Sequence, residues 1–375
     1  MINFRNHPSM TKAIIPRDIK LSTTDFNNAF YSMSNLKTVG IFNEKITNMS
    51  MTYGNCTNLT GSPVCGPNVT DMSGAYTQCN NITGNPVCGN NVTNMSGTYA
   101  HSNITGSPVC GPNVTDMTGT YYSCTNLTGS PVCGPNVTNM FLTYANCANL
   151  TGSPVCGPNV TFMGMAYNDC TNLTGSPACG PNVIEMSHAY SYCYNLTGNP
   201  VCGDNVTKIR STYLGCRNLT GSPVCGPNVT DMGLAYADCT SLTGSPVCGD
   251  NVTSMSYTYS DCTSLTGSPI CGPNVTDMAL TYRNCTNLTG NAYFYSNNVS
   301  NIYCCFDGRN ISNRLNIYVH SGSNTLNTCL YNNAYSLVGN AITWTQDGSN
   351  YYNTGYNIYI YPVDNVAAAR TANGD

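Results

Sequence analysis

The chain has 375 residues, a formal net charge of −4 and only 8% charged residues. This balance excludes the basic surface that nucleic-acid binding requires. No run of roughly 18 apolar residues is present, so the sequence also predicts no membrane span. Asn, Thr, Gly, Ser and Tyr dominate instead, a composition that would favour disorder if the apolar residues were not regularly spaced.

Residues 1–25 carry four well-separated cations and no uninterrupted apolar segment of the kind found in secretory signal peptides. We expect this stretch to be a poorly ordered N-terminal arm. The alternative is an arm that anchors the chain to other proteins of a larger assembly. Without a signal peptide, the chain is expected to be made in a reducing cytosol.

Residues 26–55 are a worn copy of a repeat that follows. Phe30 aligns with Tyr53, and Phe42 aligns with Cys65, each at a distance of 23 residues. Terminal repeats are atypical because one side faces water instead of a neighbouring copy. The sequence therefore predicts an N-terminal capping repeat here.

The repeat itself is read most easily from its Pro-Val-Cys-Gly element. Its cysteine recurs ten times, with eight intervals of 23 residues and one of 22. Tyr, Val, Met, Leu and a second Cys recur in step with it. A fixed period in the twenties indicates a solenoid, because one copy cannot bury its apolar face alone and stacked copies can. The cysteines of this element are Cys65, Cys88, Cys110, Cys133, Cys156, Cys179, Cys202, Cys225, Cys248 and Cys271.

Within a copy, two short strands are expected, at residues 58–60 and 68–72, followed by a helical or 3₁₀ turn at residues 73–79. Val69 and Met72 are three residues apart, so a bend must turn both side chains inward. Asn68 and its equivalents form an unbroken ladder. We expect its amides to bond to one another and to backbone groups at the corners.

The spacing Leu-x4-Val-x4-Val-Thr-x-Met-x3-Tyr-x2-Cys-x2-Leu resembles the BspA-like leucine-rich repeat, which also has 23 residues. Tyr76 stands where that family has Phe, and Cys79 stands where it has Cys; Ser62 departs from the usual apolar residue. The resemblance covers residues 26–305. It implies a mainly β repeat solenoid of about 11–12 turns with worn capping repeats.

Residues 306–375 change character and predict a small C-terminal β cap. Residues 315–319 and 357–361 alternate as strands, and residues 343–352 read as a hairpin around Asp-Gly. The last residues, 367–375, are expected to fray.

Twenty of the 23 cysteines occupy two positions of the repeat. Neighbouring copies would place them within reach of disulfide bonds, but Cys also packs as a small buried hydrophobe, and a cytosolic origin favours reduced thiols. Metal ligation needs clustered Cys and His at ligand spacing, and the four His are scattered. We predict no metal, no cofactor and no catalytic residues.

Departures from the consensus concentrate between residues 141 and 217. Because stacked copies bring equivalent positions together, we expect one exposed patch of aromatic and cationic side chains, which are typical of interface hot spots. The alternative is neutral drift of surface positions. The candidate binding residues are Phe141, Phe162, Met165, His188, Tyr192, Tyr194, Lys208, Arg210 and Arg217.

The sequence therefore predicts a non-enzymatic structural and adhesion protein. The main hypothesis is a rigid repeat rod on the surface of a phage virion, made in the host cytoplasm, as a fibre, spike or decoration protein. The alternative is a bacterial cell-surface adhesin of the BspA-like type. Expected partners are a bacterial surface glycan or protein, other virion proteins through the N-terminal arm, and a second copy of the chain in a homo-oligomer.

Overall fold

The computed structural model of the chain describes residues 4, 7, 9–15, 20–41, 43–331 and 336–375. It forms two compact units, Met1–Val183 and Ile184–Asp375. Each unit is mainly β and turn structure. The domain boundaries expected at residues 25 and 305 stay predictions, and Phe42, aligned above with Cys65, lies outside the described residues.

The first unit begins with a short parallel pair. Strand β1, Lys12–Ile15, pairs with β2, Thr38–Ile41. Upstream, the ring of Phe4 stacks on Phe30 at 4.8 Å between centroids, and the Phe4 N–H donates to the carbonyl of Ala29 at 2.8 Å. At these residues the N-terminal segment packs on the capping repeat, which differs from the poorly ordered arm that the sequence predicts.

Repeated aromatic side chains form the centre of both units. In the first unit, consecutive rings from Phe30 to Tyr167 stack with centroids 5.1–5.8 Å apart. In the second, the rings from Tyr190 to Phe306 stack at 5.4–5.7 Å. The Met and Leu positions, the Val position of Val69, and the second Cys position (Cys79 and its equivalents, which we call the inner cysteine position) surround the rings and are buried. The Val and Cys of the Pro-Val-Cys-Gly element are mostly half-buried. The period of 23 residues thus identifies the core correctly.

Neighbouring copies are joined by very little regular strand. Between residues 43 and 269, all of which the structure describes, no regular strand forms. Single parallel bridges occur instead, such as Asp71 with Asn94. The strands predicted at residues 58–60 and 68–72 are therefore wrong. Because Val69 and Met72 both point inward, the backbone turns between them and leaves only one extended residue to pair.

The predicted helical or 3₁₀ segment is a run of hydrogen-bonded turns. The Ala75 N–H donates back to the Met72 carbonyl at 2.9 Å, whereas the Gly74 N–H donates to Ser96 of the next copy at 2.8 Å. This alternation requires left-handed backbone at Gly74 (φ 59°) and Gln78 (φ 57°). A helix cannot form because every second N–H points at the neighbouring copy.

Two polar ladders fasten the copies on the outside. The carbonyl of Thr47 accepts both the N–H of Thr70, at 2.8 Å, and its hydroxyl, at 3.2 Å. The Asn91 amide donates to the carbonyl of Pro67 at 3.0 Å, and the equivalent asparagines repeat this bond. The side-chain amides at the Asn91 position therefore donate to backbone carbonyls of the preceding copy, and not to the next amide of the ladder as we expected.

Thiols of the inner cysteine position bond to backbone as well. The Cys79 Sγ–H donates to the Tyr53 carbonyl at 3.1 Å, and Cys147 repeats the bond to Tyr121 at 3.0 Å. All of the cysteines lie in the described part of the chain, and no disulfide joins them there.

The second unit ends in a six-stranded sheet. Four parallel strands come first: β3 (Ile270–Cys271), β4 (Gly290–Phe294), β5 (Leu315–His320) and β8 (Ile358–Val363). Two antiparallel strands complete it: β7 (Asn350–Asn353) and β6 (Thr345–Asp347). The predicted strands and hairpin of this region are confirmed. The sheet starts before residue 306, because β3 and β4 belong to the last copies of the repeat.

Two short helices accompany this sheet, α1 at Asn324–Cys329 and α2 at Val366–Ala372. The side chain of Asn365 caps α2 by accepting the Ala368 N–H at 2.9 Å. The terminal Asp375 accepts bonds from Asn291 at 2.8 Å and from the Tyr293 hydroxyl at 2.6 Å. The expected fraying of residues 367–375 is therefore wrong. No helix within the described ranges has the length and apolar character needed to span a bilayer.

Candidate functional site

The copies differ most at one position of the turn, which we call the outer-turn position. In the ten clear copies of the repeat, its residues are Gly74, Gly97, Gly119, Leu142 and Met165 in the first unit and His188, Ser211, Leu234, Tyr257 and Leu280 in the second. All ten have φ between +53° and +59°. This left-handed conformation is natural for Gly and strained for the other residues.

In the first unit, three of the predicted site residues lie in neighbouring copies; we call Phe141, Phe162 and Met165 the Phe cluster. The Phe141 and Phe162 rings meet edge to face, 5.8 Å apart at 70°. A Cβ added to Gly164 would lie 3.1 Å from Phe162 and 3.3 Å from Phe141, so the glycine makes room for the rings. Phe162 is 40% exposed.

Phe162 also gives up a hydrogen bond that other copies make. At the equivalent position, the Asp71 side chain accepts the Ser73 N–H at 2.8 Å, and Asn139 accepts the Phe141 N–H at 2.9 Å. A phenyl ring cannot accept such a bond. Phe162 thus replaces a side chain that stabilises the turn with an exposed apolar ring. The repeat does not need this ring for its own packing.

In the second unit, the Tyr/Arg cluster consists of Tyr192, Tyr194 and Arg217. The two rings are 6.2 Å apart at 59°, and each tyrosine is 37% exposed. The Arg217 guanidinium lies 5.4 Å from the centre of the Tyr194 ring, which is a cation–π distance. Asp238 binds the same guanidinium through Nε at 2.9 Å and Nη2 at 2.7 Å.

Arg210 and His188 also belong to the second unit. Arg210 Nη1 is 3.6 Å from Asp231 Oδ2, and the His188 N–H donates to the Arg210 carbonyl at 2.9 Å. Burial lowers the pKa of His188, and the charge of Arg210 lowers it further while Glu185 opposes both. Two of the predicted cationic residues are therefore already engaged, since Arg210 and Arg217 each contact an aspartate of the following copy.

The remaining predicted residue, Lys208, is exposed and joins Glu185 and Asp231 through backbone bridges. The sequence reasoning missed later members of the outer-turn position. Tyr257 is 39% exposed there, whereas Leu280 is buried with Ala279 and Cys304. Both could have been identified from the sequence, because Tyr257 and Leu280 follow Met165 by multiples of the 23-residue period.

The outer-turn glycines of the first unit leave an open space. A cleft of about 430 Å³ is lined by Gly74, Gly97 and Gly119, with Met51 and Tyr122 among its other walls. Apart from Gly97 and its two chain neighbours, no atom lies within 4 Å of where a Cβ of Gly97 would be. The turn therefore closes without any side chain at this position.

The chemistry available to the thiols is limited. Burial raises the pKa of Cys88 and Cys156 to about 12 and that of Cys133 to about 11. These groups are neutral thiols at pH 7, and a thiol is a much weaker nucleophile and metal ligand than a thiolate. In the parts of the chain that the structure describes, no group of three or more His, Cys, Asp or Glu side chains could hold a metal ion.

Comparison with known proteins shows the fold. A leucine-rich repeat protein from Bacteroides ovatus ATCC 8483 matches with a TM-score of 0.54 and 15% identity, over 83% of this chain and 87% of that chain. A leucine rich cell surface protein from Faecalibacterium prausnitzii A2-165 matches with a TM-score of 0.38 and 14% identity, over 88% and 91%. No family model and no curated protein matches the chain.

The Bacteroides ovatus structure shows that the chain has a leucine-rich-repeat fold, which confirms the predicted fold class at that level. The likeness of the second structure is too low to carry an argument. Neither protein is described as part of a phage or virion. The BspA-like subtype and the site residues stay predictions.

Proposed function

We propose that this chain is a non-enzymatic binding protein of a bacterial cell surface, an adhesin built on leucine-rich repeats. The repeats hold the Phe cluster and the Tyr/Arg cluster, and each cluster contacts a bacterial surface glycan or protein. The resemblance to BspA-like repeats supports this location, because such repeats are known from bacterial surface and host-contact proteins. The comparisons offer no support for the virion location, which is the main hypothesis from the sequence.

One observation carries the proposal. Three successive copies have Gly at the outer-turn position, and their turns close like the others. Met165 and His188 occupy the same left-handed conformation, which costs a residue with a Cβ about 1–2 kcal/mol. Strained residues that the fold does not need are typical of functional surfaces.

The exposed groups suit a macromolecular partner. Aromatic rings and a guanidinium held in place are the side chains most often found in hot spots of protein interfaces. Arg217 is fixed by Asp238 and by the Tyr194 ring, so little side-chain entropy is lost when a partner binds. Aromatic faces serve equally for the apolar faces of sugar rings.

The test replaces each cluster by residues that other copies carry. Phe141→Ser, Phe162→Asp and Met165→Gly together restore the residues at 73, 71 and 74, and Tyr194→Thr with Arg217→Thr restores the residue at 57. We expect each set to weaken binding of fluorescently labelled protein to intact Gram-negative or Gram-positive cells at least tenfold. A tenfold loss corresponds to about 1.4 kcal/mol, and truncation of a hot-spot residue costs about 2 kcal/mol or more.

As a control, Thr125→Ala changes an exposed residue of a consensus copy at the position equivalent to Tyr194, and should bind like the wild type. Equal binding by the wild type and both cluster variants would overturn the proposal. Location is tested separately by protease treatment of intact source cells. Peptides of this chain released from cells support the proposal, and their recovery from purified phage particles would support the virion alternative.

A further inference from the structure

The second unit contains a cleft outside both clusters, which we call the tyrosine cleft. It has a volume of about 360 Å³, and its walls include Tyr352, Tyr359, Tyr361, Arg314, Asp347 and Asn350. Pockets for small molecules in proteins measure roughly 300–1,000 Å³ and combine aromatic walls with a few polar groups. The tyrosine cleft fits both criteria.

Strand register places the tyrosines. Tyr359 and Tyr361 are two residues apart on β8 and so share a face of the sheet. Tyr352 of β7 is opposite Tyr359, and their rings stack at 5.9 Å and 17°. The intervening residues of β8, Ile358 and Ile360, are fully buried on the other face. The tyrosine rings are therefore not part of the buried core beneath this sheet.

Arg314 is held rigidly at the cleft. Its guanidinium carbon lies 3.7 Å from the centre of the Tyr359 ring. Its Nε donates to Asn316 at 2.7 Å, and its Nη2 donates to the hydroxyl of Tyr361. A guanidinium has five N–H donors, so donors beyond these two bonds remain for a ligand.

The polar groups of the cleft indicate a ligand that both donates and accepts hydrogen bonds. Arg314 only donates, a carboxylate such as that of Asp347 accepts, and the Asn350 amide does both. One positive and one negative charge balance each other, so the cleft has no net charge to attract an ion. A pyranoside sugar matches this set, because its hydroxyls donate and accept while its C–H face packs on aromatic rings.

We propose that the tyrosine cleft binds a neutral pyranoside. The site lies in the C-terminal sheet and shares no residue with the two repeat clusters. The proposal can therefore be tested separately from the adhesin function. Asp347 and Asn350 bind hydroxyl groups, Arg314 donates to a further oxygen, and Tyr352 contacts the apolar face of the ring.

The experiment uses the full chain and three probes, methyl β-glucopyranoside, methyl β-galactopyranoside and methyl α-mannopyranoside, at millimolar concentration. Saturation-transfer NMR should show magnetisation passing to at least one probe, and calorimetry gives its affinity. Asp347→Asn and Tyr352→Ser should each lower that affinity at least tenfold. Tyr303→Ser, which changes a half-exposed tyrosine outside the cleft, should leave it unchanged.

Absence of transfer to all three probes would overturn the proposal, as would transfer of equal strength in Asp347→Asn. Sodium glucuronate binding more tightly than the glucoside would show that the cleft selects anions, which also contradicts it. Asp347→Asn keeps the size of the side chain at a turn position. If the circular dichroism spectrum of Tyr352→Ser differs from that of the wild type, the affinity of Asp347→Asn alone tests the proposal.

Discussion

The hydroxyl group of Tyr144 bonds to both polar groups of one residue, Val132. It accepts the Val132 N–H at 3.1 Å and donates to the Val132 carbonyl at 2.6 Å. The same pair of hydrogen bonds links the Tyr76 hydroxyl to Val64, at 2.9 and 2.7 Å. The Pro-Val-Cys segment of these copies has no strand partner, so the tyrosine hydroxyl replaces one. This explains why Tyr stands here in place of the Phe of BspA-like repeats.

Replacing Tyr144 by Phe should lower the free energy of unfolding by about 1–2 kcal/mol. The change leaves both backbone polar groups of the half-buried Val132 without their partner, and an unsatisfied polar group costs about 1–3 kcal/mol when it is buried. Urea titration followed by circular dichroism measures the difference.

The matched control is Tyr53→Phe. The Tyr53 hydroxyl is buried and makes no hydrogen bond, so its removal should leave the stability unchanged or raise it. If both substitutions have the same effect, the bond to Val132 does not stabilise the repeat.

Gly157→Ala should destabilise the first unit by about 1–3 kcal/mol, the usual range for overpacking. An added Cβ would lie 2.9 Å from the Cys133 sulfur and 3.0 Å from the Gly134 carbonyl oxygen. At the equivalent Gly66 the nearest atoms are Val69 at 3.3 Å and Asn43 at 3.8 Å. Thermal unfolding should therefore show a smaller loss for Gly66→Ala, and equal losses would exclude the close approach of copies as the cause.

The core could be predicted from the sequence because burial follows spacing alone. Met72 and Tyr76 recur every 23 residues, and both are fully buried. The absence of regular strands from the repeat could not be predicted, because the spacing of Val69 and Met72 indicates only that the chain bends. Helix α2 was predictable in principle, since Asn365 precedes a run of Val and Ala that suits a helix.

Contacts at the candidate site depend on offsets that the repeat period does not give. Phe141 meets Phe162, which is 21 residues on, because the residue at 164, in the equivalent position, is Gly. Arg217 likewise reaches Asp238 across 21 residues. The repeat period pairs residues that are 23 apart. It therefore indicates which positions vary between copies, but not which side chains are in contact.

The melting temperature should stay level from about pH 6 to 8 and fall above about pH 9. Burial raises the pKa of Cys124 to about 12 and that of Cys56 to about 11, from an ordinary value of about 8.5. Between those values the folded state keeps the proton that the unfolded state loses, so stability decreases as pH rises. Each buried thiol contributes up to about 1.4 kcal/mol per pH unit.

Calorimetry in the presence of a reductant measures this effect, and Cys124→Ser is its control. Ser102 naturally occupies the equivalent position and donates its hydroxyl to the Tyr99 carbonyl. The loss of stability between pH 8 and 10 should be smaller in Cys124→Ser than in the wild type. Identical slopes would show that the thiols do not cause the alkaline instability.

Most of the twenty cysteines at the two repeat positions should be reduced in freshly purified protein. The inner thiols, such as Cys79, bond to backbone carbonyls, and their raised pKa disfavours the thiolate that forms disulfides. Thiol counting in denaturant should therefore detect nearly all of them, whereas a largely oxidised sample would contradict this expectation.

Met165→Gly should raise the free energy of unfolding by about 1 kcal/mol. Met165 has φ 55°, a conformation that costs a residue with a Cβ about 1–2 kcal/mol, and the half-buried side chain offsets part of that cost. Gly97→Ala makes the opposite change where no atom apart from residue 97 and its two chain neighbours lies within 4 Å of the new Cβ, so it measures the strain alone and should lower stability by a similar amount. Urea titration of both variants tests the pair. If Met165→Gly instead destabilises the protein by more than about 1 kcal/mol, the methionine is a packing residue of the turn. Its place in the Phe cluster as a binding residue would then be wrong.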